Sequence, residues 1–423
     1  MTGSVERAIE AVWRIEAARL IAGLARLVHD VGQAEELAQD ALVAALEQWP
    51  GEGVPNNPGA WLMSVAKRRA IDQIRRRERY QRKQEEIGRD LETRRDSSED
   101  DYDAVLDAAQ GNISDDLLRL VFTACHPVLG TEARVALTLR VLAGLSTPEI
   151  ARAFLVPEAT VGQRITRAKR TLANAEVEFE APTGAEVAER LPSVLEVIYL
   201  IFNEGYSATE GDDWMRPALC EDALRLGRIL AGLVPDEPEV HGLVALMELQ
   251  ASRTRARTGR GGEPVLLLEQ NRARWDQLLI NRGLAALRRA QRLGGGRGRY
   301  ALQAALAACH ARARTAEATD WALIAALYGE LATVAPSPVV ELNRAVAVSM
   351  AHGPAAGLEL VDALADEPAL RSYHLLPSVR GDLLAKLGRY AAARAEFDRA
   401  AALTGNQRER ELLLGRVAEL LDR

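Results

Sequence analysis

Apolar residues recur at helical spacing through the first fifty positions: Leu20, Ile21, Leu24, Leu27 and Val28, then Leu37, Ala41, Leu42, Ala45, Leu46 and Trp49. Residues three and four apart share one face of a helix, so this spacing predicts two amphipathic helices across 8–49. Between Trp49 and Trp61, the segment Pro50-Gly51-Glu52-Gly53-Val54-Pro55-Asn56-Asn57-Pro58-Gly59 stacks turn formers and predicts a loop. Helix resumes to about Arg82, with Val65, Ala66, Ala70, Ile71 and Ile74 as its apolar stripe. A second helical unit is expected over 114–175. In it Ser146-Thr147-Pro148-Glu149 has the form of a capping box, Val156-Pro157 breaks the helix that follows, and Glu158-Ala159-Thr160-Val161 starts another. The predicted result is helix, tight turn, helix, with Ala151 small at the crossing and Val161 packing back. Leu155 stands where glycine usually relieves the turn, which predicts a looser one.

Beyond about residue 185 the pattern is helical to the end, with loops expected at Thr209–Asp213, Thr258–Glu263 and Gly294–Gly298. Gly381, Ala393, Phe397 and Ala400 have the small, small, aromatic, small spacing of a tetratricopeptide repeat, with Leu387-Gly388-Arg389-Tyr390 at its turn. Ala345, Gly357, Val361 and Leu364 give a weaker copy 36 residues earlier. Small residues let paired helices approach closely, so this half reads as a tetratricopeptide-like solenoid. The fold class expected is all-α throughout, and the composition agrees: aromatics are only 4% of the 423 residues.

Cys125, Cys220 and Cys309 lie far apart, without the paired spacing of a zinc site or a disulfide framework, which points to a reducing, cytoplasmic setting. The first residues lack a signal-peptide pattern and no apolar run approaches a spanning helix, so no membrane association is expected. No nucleotide-binding or zinc-protease signature is present, and Gly294–Gly298 follows no strand, so the chain is read as a non-enzyme without cofactor or metal. His126 beside Cys125 is read as structural. Phe202-Asn203-Glu204-Gly205-Tyr206 reads equally as the lining of a pocket or as a helix end stopped by glycine.

The net charge of −7 hides a strong local pattern. Lys67 to Lys83 holds nine basic residues against two acidic ones, whereas Gln84 to Asp107 holds ten acidic against three basic. The first is a helix with a basic face; the second reads as a solvated linker. Downstream, Gln163, Arg164, Arg167, Lys169 and Arg170 place polar and basic groups on the second helix of the helix-turn-helix, as phosphate and base-edge contacts require. Two basic modules on an acidic chain suggest simultaneous contact with two DNA segments.

Ala34-Glu35-Glu36-Leu37-Ala38-Gln39-Asp40-Ala41-Leu42, Trp61-Leu62 and Arg69-Ala70-Ile71-Asp72-Gln73-Ile74-Arg75-Arg76 together resemble region two of extracytoplasmic-function RNA polymerase sigma factors. Gly144 through Ala151, Thr160-Val161 and Arg164 to Arg170 resemble their region four. Phe122-Thr123-Ala124-Cys125-His126-Pro127, the Ala153–Thr160 turn and Phe202–Tyr206 resemble the subgroup with a large tetratricopeptide-like C-terminal extension. The resemblance implies four segments: a region-two domain over 1–83, an acidic linker over 84–112, a region-four domain over 113–178 and the extension over 179–423.

It also implies partners. Glu35, Glu36, Gln39 and Asp40 would be exposed and face the clamp coiled coil of the polymerase largest subunit, and region four would meet the polymerase flap. Asn56, Asn57, Lys67, Arg68, Arg75 and Arg76 would engage and melt the minus-ten element, although Arg68 stands where many relatives have Asn. Thr160, Gln163, Arg164, Arg167, Lys169 and Arg170 would enter the major groove at the minus-thirty-five element. The extension would contact the two sigma-like domains and set their activity. The alternative from another class is a helix-turn-helix activator that senses a ligand or partner through its repeats.

Overall fold

A computed structural model describes residues 2–88, 113–154, 156–175, 177–180, 182, 184–207, 215–259 and 263–421. Most of the acidic linker, Leu155 and the Thr209–Asp213 loop lie outside the described residues. Among those described, the fold is all-α: eighteen α-helices, and no strand beyond an isolated bridge between Thr258 and Pro264. The chain divides into two compact units, 1–197 and 198–423.

In the first unit, α1 (Thr2–Val28), α2 (Val31–Glu52) and α3 (Pro58–Gly88) are followed by α4 (Ile113–Ala124), α5 (Thr131–Val141), α6 (Thr147–Phe154) and α7 (Glu158–Asn174). Helix α8 (Ala185–Tyr206) begins in this unit. Asp30 caps α2 by accepting from the Gln33 amide at 2.8 Å. The loop expected from Pro50 shrinks to 53–57, because α2 runs through Pro50 and closes on Gly53. Proline's fixed φ suits a helix, and near a C-terminus its missing N–H removes only one ladder bond. Trp49, 1% exposed, anchors that last turn edge-on against Trp61, with ring centroids 5.3 Å apart. Helix α3 also outruns its expected end, continuing to Gly88.

The small side chains seen in the sequence form the seam of this unit. Ala17, Ala22, Ala25, Ala34, Ala38, Ala41, Ala45, Ala66 and Ala70 are buried, with Ile21, Leu24, Leu37 and Leu62 filling between them. Alanine removes bulk at a crossing and costs no side-chain entropy, so α1, α2 and α3 pack closely. Residues 185–197 of α8 belong here too. Ser193 donates to the Cys125 carbonyl at 2.6 Å, and Arg134 pairs with Glu196 at 3.4 Å. The first unit thus extends past residue 179, where the extension was expected to begin.

The second unit continues α8 and adds α9 (Pro217–Leu233), α10 (Pro238–Ala251), α11 (Gln277–Arg292), α12 (Arg299–Arg312), α13 (Trp321–Val334), α14 (Pro338–His352), α15 (Pro354–Asp362), α16 (Leu375–Lys386), α17 (Tyr390–Leu403) and α18 (Gln407–Glu419). The repeat positions all fall at helix contacts. Gly381 lies against the Phe397 ring and Gly357 against Ser349, while Ala345, Val361, Ala393 and Ala400 are fully buried. Gly388, φ +73°, makes the turn between α16 and α17. Gly205 does not stop a helix, since α8 runs through Tyr206. A Cβ there would sit 2.7 Å from the Cys220 amide nitrogen, so glycine is what allows α9 to approach.

Candidate nucleic-acid and polymerase interface

The region-two candidates sit on α2, α3 and the loop between them. Asn57 caps α3: its Oδ1 accepts from the Ala60 amide at 3.1 Å, with Pro58 opening the helix. Asparagine followed by proline at the first helical position is a sequence signature of a helix start. Its side-chain oxygen therefore already serves the backbone, while Asn56 is exposed. Leu62, Ala66 and Ala70 face inward, leaving Arg68 and Arg76 exposed and Lys67 and Arg75 half-buried. Arg68 and Arg75, seven residues apart, lie on one side of α3. Arg69 pairs with Asp40 at 3.5 Å.

The helix-turn-helix is α6 and α7. Ser146 and Glu149 close the capping box reciprocally: the Ser146 amide and hydroxyl each donate to Glu149 Oε2 at 2.7 Å, and the Glu149 amide donates to Ser146 Oγ at 3.4 Å. Arg14 of α1 donates to the other Glu149 oxygen at 2.8 Å. Burial works against the Glu149 charge, but the Ser146 hydrogen bonds and Arg14 outweigh it and hold the carboxyl below its ordinary range. On α7, Val161, Ile165, Ala168 and Leu172 are buried. Gln163, Arg167 and Arg170 are exposed on the opposite side, with no ion pair among the described residues, so their groups are presented outward. Thr160, Arg164 and Lys169 are half-buried, and Arg164 pairs with Glu132 of α5 at 2.7 Å.

Glu35 corrects the expectation of an exposed polymerase-facing residue. It is 4% exposed, and its two oxygens accept from Arg140 Nε at 2.8 Å and Lys169 Nζ at 2.5 Å. The sequence carried the signal: Glu35 lies four residues after Val31 and three before Ala38, inside the buried stripe of α2. Glu36 and Asp40 remain exposed, and Gln39 is half-buried. The two DNA modules are therefore docked on each other. Trp13 Nε1 donates to the Gly144 carbonyl at 3.1 Å, and Arg26 pairs with Asp116 at 3.5 Å. Gly144 takes φ +73°, which L side chains rarely adopt, at the turn facing Trp13 and Ala17. None of Trp13, Arg14, Arg26 or Arg140 was anticipated, because such partners are 90 to 135 positions away in the chain.

Cys125 and His126 take structural places. Cys125 Sγ lies 3.3 Å from Thr138 Oγ1, and His126 Nδ1 accepts from the Val128 amide at 3.2 Å. Among the described residues no group of three or more His, Cys, Asp or Glu is arranged to hold a metal, and no helix is long and apolar enough to cross a membrane.

A helical region with a basic face, docked on a helix-turn-helix, has the features of a DNA-binding protein, and comparison with known proteins narrows the class. Residues 15–80 match Sigma-70 region 2, residues 119–172 match Sigma-70 region 4, and residues 190–291 match a family of unknown function, DUF6596. The chain is 45% identical over 387 residues to "Uncharacterized protein R00370" of Rhizobium meliloti (strain 1021), covering 91% of this chain and 89% of the relative. The chain belongs to the sigma-70 family, as a sigma factor similar to the extracytoplasmic-function type with a C-terminal extension. Members of this family are non-enzymatic transcription regulators that recognise promoters.

Proposed function

We propose that the chain binds core RNA polymerase in the bacterial cytoplasm and directs initiation from promoters with a defined minus-ten and minus-thirty-five element. Glu36, Gln39 and Asp40 on α2 supply the polymerase-facing surface, to the clamp coiled coil, with region four meeting the flap. Asn56, Asn57, Lys67, Arg68, Arg75 and Arg76 engage the minus-ten element, Asn57 through its remaining amide hydrogens. Thr160, Gln163, Arg164, Arg167, Lys169 and Arg170 enter the major groove at the minus-thirty-five element. The carrying observation is that exposed Arg68 and Arg76 on α3, and exposed Gln163, Arg167 and Arg170 on α7, fall within the two matched sigma regions. The region-two match favours this reading over a stand-alone activator, which needs only the helix-turn-helix.

Geometry adds a requirement. The two elements lie about 25 base pairs apart, or about 85 Å at ~3.4 Å per step. A compact unit of this length has a radius of gyration of about 16 Å, so its two ends are about 40 Å apart. The docked arrangement is therefore too short to read both elements. A chain of the 24 residues between Gly88 and Ile113 reaches about 80 Å when fully extended, enough to let α3 and α7 separate. In this reading Lys169 leaves Glu35 for a phosphate when promoter and polymerase are bound. The extension, a tetratricopeptide-like stack, contacts the sigma domains and sets how readily this happens. Co-elution with bacterial core polymerase tests the docking surface: the parent chain co-elutes, and the double substitution Glu36→Lys with Asp40→Lys loses the complex. Unchanged co-elution by that variant overturns the assignment to α2.

A further inference from the structure

The second unit contains a cavity of about 430 Å³ where α10, α12, α13 and α14 converge with Tyr199 of α8. Its volume falls in the ~300–1,000 Å³ range of small-molecule sites. The floor is apolar, with Leu246, Leu306, Ile324, Leu331 and Val340. The polar wall carries Arg253, Arg299, Gln250, Gln303 and the Tyr199 and Tyr328 rings, and no carboxylate is among the described residues that line it.

Arg253 is the unexplained group. Its guanidinium lies 5.8 Å from the centroids of both the Tyr206 and Trp275 rings, half-buried, with no ion pair or hydrogen bond among the described residues. The neighbouring arginines differ. Arg257 is buried, donates to the Tyr206 carbonyl and sits 3.6 Å from the Tyr206 ring centroid; Arg272 donates to the carbonyls of His310 and Ala313 at 2.6 and 2.8 Å. Those two serve the fold. Arg253 lies within cation–π reach of two aromatic rings, contacts that leave its N–H fork available.

The surroundings keep the cavity positive. Burial, together with Arg253 and Arg272, pushes His310 down to about 4, so it is neutral at physiological pH. Burial pushes the Tyr328 phenol up to about 12, so it stays protonated and can donate. A planar fork beside neutral donors suits a carboxylate, which accepts two parallel N–H bonds. The apolar floor suits a hydrocarbon body behind it.

We infer that this cavity binds a small organic carboxylate with an apolar body, its carboxylate on Arg253 and its body over Leu306, Ile324 and Leu331. Such a ligand would touch α10, α12, α13 and α14 together and hold the helix stack in one curvature. The site stands on its own geometry, independently of the reading of the first unit.

Calorimetric titration of the full-length protein tests it, with decanoate and 1-naphthoate as probes, 1-decanol and naphthalene-1-carboxamide as their neutral counterparts, and inorganic phosphate as a bare anion. The expected result is one-site binding of at least one carboxylate, with its neutral counterpart and phosphate at least tenfold weaker. Arg253→Gln weakens that binding at least tenfold, whereas Arg297→Gln, outside the cavity, leaves it unchanged; circular dichroism of both variants confirms that they fold. A second variant, Ala307→Phe, occludes the cavity and gives the same loss with Arg253 intact. Binding of neither carboxylate at millimolar concentration, equal binding of the neutral counterpart or of phosphate, or undiminished binding by folded Arg253→Gln overturns the assignment.

Discussion

Glu35→Gln is the most informative single change in the first unit. In the parent, one carboxylate at 4% exposure accepts from Arg140 and Lys169, whose side chains are only 18% and 17% exposed. The amide keeps the shape of the carboxylate but removes its charge, so two shielded cations face each other across a neutral group. Removing one partner of a buried pair costs about 3–5 kcal/mol, because the remaining charge is left uncompensated. Both cations keep some solvent and the amide oxygen still accepts one hydrogen bond, which places the expected cost near the lower end, about 3 kcal/mol. Urea unfolding followed by tryptophan fluorescence reports it as a lower midpoint of the transition sensed by Trp13, Trp49 and Trp61 of the first unit, which a truncation to that unit isolates from the tryptophans of the second. The same substitution releases Lys169. One added phosphate contact steepens the dependence of log affinity on log salt by about 0.9 for duplex DNA. Anisotropy titrations of the polymerase-free protein with a minus-thirty-five duplex should therefore show tighter binding at low salt and the steeper slope. A midpoint unchanged within error, together with an unchanged salt slope, would refute the claim that Glu35 ties the two modules together.

Other consequences are open to direct measurement. Arg167→Ala should weaken minus-thirty-five duplex binding and reduce the salt slope by about 1, since Arg167 is exposed on α7, without altering thermal stability. Trp49→Ala should cost about 3–5 kcal/mol in urea unfolding, because it deletes a side chain 1% exposed and its edge contact with Trp61. Glu149 has its folded pKa depressed, so its contribution is present above its ordinary value near 4.5 and is lost as pH falls through the folded value. Parent and Glu149→Gln should thus differ in melting temperature at neutral pH, and the difference should shrink as acid protonates the folded carboxyl, below its ordinary titration range. Burial pushes the Cys125 thiol up to about 11 and Cys220 up to about 12, so at pH 8 both should resist thiol reagents until urea is added.

What was legible in the sequence was whatever is local. The capping box at Ser146 and Glu149, the buried face of α7 and the small residues at Gly381, Ala393 and Ala400 depend on spacings of a few positions, and each falls where its pattern puts it. Where local rules compete, tertiary packing decided. Pro50 reads as a breaker, yet Trp49 packing carries α2 past it, and Gly205 reads as a stop although its lack of a side chain serves the contact with α9. The charge of Glu35 reads as exposed, and its burial is tertiary. Acidic residues on a helix are usually solvated, and only the two cations arriving from α5 and α7 permit burial. The Arg253 cavity had no sequence signature, because its walls come from five helices spread over more than 140 residues.

Transcription in vitro tests the central claim most directly: purified bacterial core polymerase and a promoter library, with and without this chain, and with Arg68→Ala/Arg76→Ala and Arg167→Ala/Arg170→Ala variants. The account predicts initiation at a defined promoter class only when the chain is present. It also predicts that the α3 pair loses minus-ten function and the α7 pair loses minus-thirty-five selectivity. Binding of promoter DNA without any initiation by core polymerase would contradict it.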